Sequence, residues 1–175
     1  AWLKSIPFNI VAVICESDSG LDYAEMLSCA IDSSPTNGGH LQQNGYGVAR
    51  RDKYLMNQVC SDAGIPVVRQ ALCASTEDAI QKGFEFGVLE SNNNSTLPST
   101  EVIIKPLRGV ASNRVSLCST PSSIQSATEC ILGTAVFGTY DMKYSDVLMQ
   151  EFITGKEYAI DVVSKNGLHK IAALW

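Results

Sequence analysis

An α/β (α+β) chain is what this sequence predicts, and three observations predict it. Val102-Ile103-Ile104 is a β-branched run closed by Lys105-Pro106, the pattern of a short buried strand meeting a turn. Apolar stripes at helical spacing over residues 21–30 and 52–63 alternate with such strand-like runs. Asn166-Gly167, between two further β-rich runs, is the preferred pair of a hairpin turn. With 175 residues, 45% of them hydrophobic and 18% charged, the chain can bury one core, or one and part of another. No apolar run is long enough to span a bilayer, and residues 8–15 read as a strand rather than a signal sequence.

The elements follow in order. Residues 9–15 are expected as a strand and 21–30 as a helix, with Leu21, Ala24, Met26, Leu27 and Ala30 apolar; 31–47, rich in Ser, Pro, Gly and Asn, is a linker. Residues 52–63 form a helix with Leu55, Met56, Val59, Cys60 and Ala63 on one stripe, ended by Gly64 and Pro66. A strand over 67–71 follows, then a helix from the cap Ser75 to about Phe86, with Glu77 and Asp78 in its first turn. Residues 89–100 are an asparagine-rich loop. Strands over 102–105 and 115–118 make a hairpin-like pair, and Thr120-Pro121 starts a helix reaching about Leu132. Strands over 147–153, 158–164 and 168–175 complete the chain, the first two joined at Gly155.

The net charge of −5 excludes a general affinity for nucleic acid or anionic membrane, so an anion site must gather its cations locally. Arg50, Arg51 and Lys53 form one cluster, and Lys105, Arg108 and Arg114 another. Lys105 ends a strand, and the small-residue run Gly109-Val110-Ala111-Ser112-Asn113 lets backbone N–H groups approach an anion. The six cysteines (Cys15, Cys29, Cys60, Cys73, Cys118, Cys130) lack Cys-x-x-Cys spacing and suit reduced thiols of a cytosolic protein. With only His40 and His169, a zinc site is not expected. No Gly-x-Gly-x-x-Gly follows a strand, which removes a dinucleotide-binding reading.

Lysine at a helix start, strand-Lys-Pro with a small-residue loop, then Val147-Leu148-Met149-Gln150-Glu151-Phe152-Ile153-Thr154-Gly155-Lys156-Glu157 is an order of motifs that resembles the ATP-grasp superfamily. Within it the chain is most similar to carboxylate–amine ligases of the L-amino-acid ligase and D-alanine ligase kind. The resemblance covers residues 50–175 and implies a partial ATP-grasp fold preceded by the last strand-helix piece of an α/β domain. It implies domains over 1–48 (that remnant and a linker) and 49–175 (an ATP-grasp domain incomplete at its C-terminus), in a fragment truncated at both ends.

The resemblance also assigns roles. Lys53 and Lys105 would contact nucleotide phosphates, with Ser112 in the loop that covers them. Gln150 and the backbone of Glu151 and Ile153 would meet adenine, and Glu157 would bind the ribose hydroxyls; Phe152 alternates with those positions along the strand and is expected to pack into the core. Ala111 and Arg114 stand where relatives usually have glycine; an arginine restricts φ but offers another phosphate donor. ATP is the implied cofactor. Magnesium is expected for a full-length parent, with its ligands and the catalytic arginine outside this chain. Glu151 and Asp161 are the nearest carboxylates and neither sits in the family's metal motif, so no metal ligand or catalytic residue is assigned. Small amino-acid-like carboxylates and amines are the implied substrates, joined through an acylphosphate in the cytoplasm, and a homodimer is left open. The alternative is a non-catalytic nucleotide-binding or scaffolding protein that kept the fold; the fragment alone is expected to be inactive.

Overall fold

A computed structural model describes residues 7–8, 10–32, 47–90, 99–139, 141–165 and 167–175. The chain divides into two compact units, residues 48–153 and residues 1–47 with 154–175.

The first unit is built on a four-stranded antiparallel sheet. Its strands are β1 (Gln70–Cys73), β2 (Val102–Lys105), β3 (Ser116–Cys118) and β4 (Val147–Glu151), in spatial order β1-β4-β2-β3. Between them run helices α2 (Lys53–Asp62), α3 (Thr76–Phe86) and α4 (Pro121–Glu129). Strand β4 lies between β1 and β2, with Gln70 opposite Gln150 on one side and Ile103 opposite Gln150 on the other.

Side chains on a strand alternate between faces, and this divides the sheet sharply. Val102, Ile104, Val147 and Met149 enter one core with Cys73, Cys118, Ala79 and Phe86 of the sheet and α3, and Ile124, Ala127 and Ile131 of the α4 region. Burial in this core pushes the Cys73 thiol up to about 11, so it stays protonated. The intervening residues Gln70, Leu72, Ile103, Lys105, Leu148 and Gln150 therefore share the opposite face.

The helix starts follow local chemistry. Asp52 caps α2 by accepting from the N–H groups of Tyr54 and Leu55, Ser75 caps α3 through Asp78 N–H, and Thr120 and Ser123 form a reciprocal capping box on α4 behind Pro121. Helix α3 ends in a Schellman-type turn: Gly87, at φ 94, donates to Phe84 C=O, and Val88 donates to Gly83 C=O.

The second unit contains α1 (Leu21–Asp32), preceded by a 3-10 turn over Asp18–Gly20, and the hairpin of β5 (Ile160–Lys165) and β6 (Leu168–Leu174). The expected Asn-Gly turn falls partly on Asn166, outside the described residues, as do Asn9, most of the 31–47 linker and much of the 89–100 loop.

Several expectations need correction. Residues 10–16 form no strand: no described strand pairs with them, and Val11 and Ile14 are exposed. Met26 and Leu27 of α1 are exposed, and no residue of α2 is buried, so both apolar stripes exist without a close-packed cover in their own units. Strand β1 begins at Gln70 rather than residue 67, because Arg69 N–H turns aside to the Glu151 carboxylate (2.6 Å). Strand β4 stops at Glu151, which leaves Phe152 exposed rather than in the core. Strands β4 and β5 belong to different sheets and are not a hairpin about Gly155.

Replacing Gly87 by alanine forces a side chain into the left-handed region and brings its Cβ to 2.8 Å from Thr100 Oγ1. The variant is expected to lose about 1–2 kcal/mol, read as a lower urea midpoint at unchanged slope; an unaltered midpoint contradicts this account of the α3 terminus.

Candidate functional site

The loop after β2 is where the sheet, α2 and the 133–146 segment meet. Its successive carbonyls, those of Leu107, Arg108 and Gly109, all accept hydrogen bonds from outside the loop. Leu107 C=O takes the backbone N–H of Lys53 (3.0 Å), Arg108 C=O takes the Tyr144 hydroxyl, and Gly109 C=O takes Lys53 Nζ (3.3 Å). Tyr144 is buried, and its oxygen also accepts from Phe137 N–H at 3.2 Å. The N-terminus of α2 is thus fastened to the loop by both the backbone and the side chain of its first residue.

Beyond these anchors a cavity of about 310 Å³ opens, lined by Lys53, Lys105 and residues 109–113. Lys105 reaches it from the end of β2, as alternation from buried Ile104 requires. Burial holds the Lys105 ammonium below the ordinary lysine range, and the Lys53 charge lowers it further. Two ammonium groups are therefore held together with no carboxylate among the residues lining the cavity, an arrangement suited to a polyanion. The first-turn N–H groups of α2 contribute nothing there: Asp52 and Leu107 take them up. Lys53 acts through its side chain, and the Asp52 carboxylate offsets the helix dipole.

The loop keeps a strained backbone. Ala111, Ser112 and Arg114 have φ of 51, 55 and 57, in the left-handed region that side chains disfavour. Ala111 and Arg114 are the two positions at which glycine was noted as usual. Arg114 does not line the cavity; its guanidinium donates to the Thr134 hydroxyl, which in turn donates to Ile131 C=O (2.7 Å).

Gln150 lies on the same sheet face as Lys105, nearly buried, with Nε2 3.3 Å from Gln70 Oε1. Just past it, Glu151 N–H donates to Arg69 C=O (3.1 Å) and Phe152 N–H to Glu101 C=O (3.2 Å). Along β4 successive residues turn their backbone groups to opposite sides, so the Glu151 carbonyl faces the side of Arg69, as its N–H does. Glu157 belongs to the other unit and is exposed there. The structure thus brings Lys53, Lys105 and Ser112 to one cavity and Gln150 to the same face as Lys105. Sequence reasoning missed Tyr144, Gln70 and Asn57. The two glutamines carried a signal, as polar residues in otherwise apolar strands.

The residues present do not make a magnesium site. Among the described residues no three His, Cys, Asp or Glu side chains stand close enough to hold a metal ion. The Glu151 carboxylate is bound to Arg69 N–H, and that of Asp161 to Trp175 Nε1 at 3.0 Å. No chemical step is therefore derived through a metal.

The βαββαβ arrangement of this unit is similar to that of solved ATP-grasp structures. An ATP-grasp domain matches residues 98–175, which bears out the resemblance read from the sequence. Among curated proteins the chain is 25% identical over 169 residues to Dapdiamide A synthase of Enterobacter agglomerans, an alignment covering 97% of this chain and 36% of that protein. Among solved structures it is similar to the RimK domain protein ATP-grasp of Sphaerobacter thermophilus (TM-score 0.57, 17% identity, 95% of this chain and 54% of that one). It is also similar to D-alanyl-alanine synthetase A of Vibrio cholerae (TM-score 0.56, 15% identity, 91% and 41%) and to D-Alanine-D-Alanine Ligase of Helicobacter pylori (0.56, 18%, 89% and 41%). The chain spans about a third of the curated relative's length. No described helix is long and apolar enough to cross a membrane.

Two outcomes follow from the geometry. Tyr144→Phe leaves Arg108 C=O and Phe137 N–H without their shared partner and is expected to cost about 1–3 kcal/mol of stability; a change below about 0.5 kcal/mol in denaturant unfolding would show that the hydroxyl does not hold the loop. Because burial and Lys53 depress Lys105, its charge opposes the folded state until pH rises through the lowered pKa. A bound polyphosphate would raise that pKa again, since an adjacent anion favours the charged form. Tripolyphosphate binding in alkaline buffer should therefore draw in protons and weaken as pH rises, which calorimetry in buffers of different ionisation enthalpy detects; proton release contradicts it.

Proposed function

We propose that this chain is the ATP-binding portion of an ATP-dependent carboxylate–amine ligase, acting through an acylphosphate on amino-acid-like substrates. The observation that carries the reading is the convergence of Lys53 and Lys105 on one cavity, on the sheet face that also bears Gln150. In this reading Lys53, Lys105 and the loop around Ser112 hold the phosphates. The Glu151 carbonyl and Ile153 N–H would offer an acceptor and a donor to the adenine edge, with Gln150 beside it; Glu157 is assigned to the ribose hydroxyls by the resemblance alone. On the same reading residues 49–175 form the ATP-grasp domain, and 1–48 precede it as an α/β piece with its linker.

In the parent reaction a carboxylate would take the γ-phosphoryl group of ATP with release of ADP, and an amine would then displace phosphate from the acylphosphate; magnesium, where bound in such a cytoplasmic protein, would supply charge neutralisation. The groups that would hold magnesium and stabilise the acylphosphate are assigned to the parent outside this chain. The ligase relatives in the comparison support this reaction class by name alone. A second reading, a nucleotide-binding protein without catalysis, is favoured by two features: the glycine-poor loop at Ala111 and Arg114, and the lack of carboxylates lining the cavity.

Calorimetry with ATP, ADP and AMP tests the shared part. ATP and ADP are expected to bind more tightly than AMP. Lys105→Ala should cost about 1.5–3 kcal/mol, or roughly 10- to 150-fold in affinity, while Lys170→Ala on β6 should change little. Equal losses at both lysines, or equal binding of all three nucleotides, defeats the phosphate assignment.

A further inference from the structure

Gln70 and Gln150 face each other across β1 and β4, and Gln150 is only 6% exposed. A carboxamide's oxygen and nitrogen ends are alike in shape, so which end faces outward is a chemical question that its partners decide. Here the partners form a chain with a fixed end. Gln70 Nε2 donates to the backbone carbonyl of Tyr54 at 3.1 Å, and a carbonyl can only accept. That turns Gln70 Oε1 the other way, where it meets Asn57 Nδ2 at 3.0 Å and Gln150 Nε2 at 3.3 Å. Both neighbours must then present their NH2 groups to it. The Gln150 carboxamide oxygen is left pointing away from Gln70, and among the described residues no hydrogen bond reaches it.

We propose that Gln70 is a positioning residue for base selection: anchored on Tyr54 C=O, it holds Gln150 with its oxygen outward, so the site accepts from an exocyclic amine and disfavours an oxo group. This rests on the nucleotide-binding reading above and adds to it the origin of the choice between a 6-aminopurine and a 6-oxopurine. Turning Gln150 over to suit the oxo group would set its oxygen against Gln70 Oε1 and lose that bond. The acceptor on Gln70 cannot reverse in compensation, because its own nitrogen is committed to a backbone carbonyl. Asn57 belongs to the same device, one helical turn after Lys53 on α2, and reinforces the acceptor role of Gln70.

The test is the ratio of ATP to GTP dissociation constants for the full chain and Gln70 variants, each checked for folding by circular dichroism and thermal unfolding. The unaltered chain is expected to favour ATP by at least about tenfold, the scale of one unpaired buried acceptor. Gln70→Leu frees Gln150 to turn and should bring the ratio to within about threefold of unity. Gln70→Glu still accepts from Gln150 and should keep most of the preference, although it loses the bond to Tyr54. Gln70→Lys offers a donor in place of the acceptor, turns Gln150 around and should shift the ratio toward GTP. A merely structural role would change both affinities together and leave the ratio alone, as Lys105→Ala should. If Gln70→Leu does not fold, Gln70→Lys decides. A preserved ATP preference in the folded leucine or lysine variant overturns the role of Gln70 and leaves nucleotide binding standing, as does equal affinity of the unaltered chain for ATP and GTP. Absence of binding to either nucleotide overturns the underlying reading along with this one.

Discussion

Everything the cavity does depends on the loop after β2 being held by its carbonyls. Leu107 and Gly109 accept from the backbone N–H and the ammonium of Lys53, and Arg108 from the buried phenol of Tyr144, so two separate parts of the unit agree on one backbone path. A loop satisfied by its own turns could adopt many paths, whereas one whose acceptors belong to other elements is as ordered as those elements. Past these anchors the loop closes on its own turns, Asn113 N–H donating to Val110 C=O and Val115 N–H to Ser112 C=O, with Ala111, Ser112 and Arg114 at positive φ. Lys53 has two jobs in this frame, bracing the loop and facing the cavity.

The sheet separates stability from chemistry by alternation. Residues of β2 and β4 that point one way are sealed against α3 and α4, while their neighbours in sequence carry Lys105 and Gln150. A one-residue slip in register would exchange the two sets, burying an ammonium and exposing Ile104 and Met149. The core therefore fixes the register on which the site depends. This is a physical link between residues that bind nothing and residues that hold the ligand.

Much of this was legible in the chain. Asp52, Ser75 and Thr120 announced helix starts because a cap is a local bond between near neighbours, and Val102-Ile103-Ile104-Lys105 announced its strand by composition. The unusual backbone at Ala111 and Arg114 was also marked, through the places where similar sequences carry glycine. What stayed hidden is what depends on partners distant in sequence. Periodicity put Leu55 and Met56 on one stripe but could not say that the described residues would leave both exposed. Residues 9–15 have strand composition, yet a strand exists only where another backbone pairs with it. Nothing near Tyr144 in sequence points to Arg108, thirty-six positions away, and no local rule connects Gln70 to Tyr54 across the turn after α2. A lysine at a helix start likewise does not reveal that the N–H groups of the α2 terminus are taken by Asp52 and Leu107.

The hairpin of β5 and β6 stands in contrast to the four-stranded sheet. That sheet ends in β1 and β3, four and three residues long, which offer little length for a foreign strand to copy. The hairpin's strands run to six and seven residues, no further described strand pairs with either, and Ile160, Val162, Ile171, Leu174 and Trp175 are exposed. Unpaired backbone beside apolar side chains is the template on which chains associate edge to edge. Among the described elements this hairpin is therefore the one most open to edge-to-edge association, and charged substitutions on it would raise solubility.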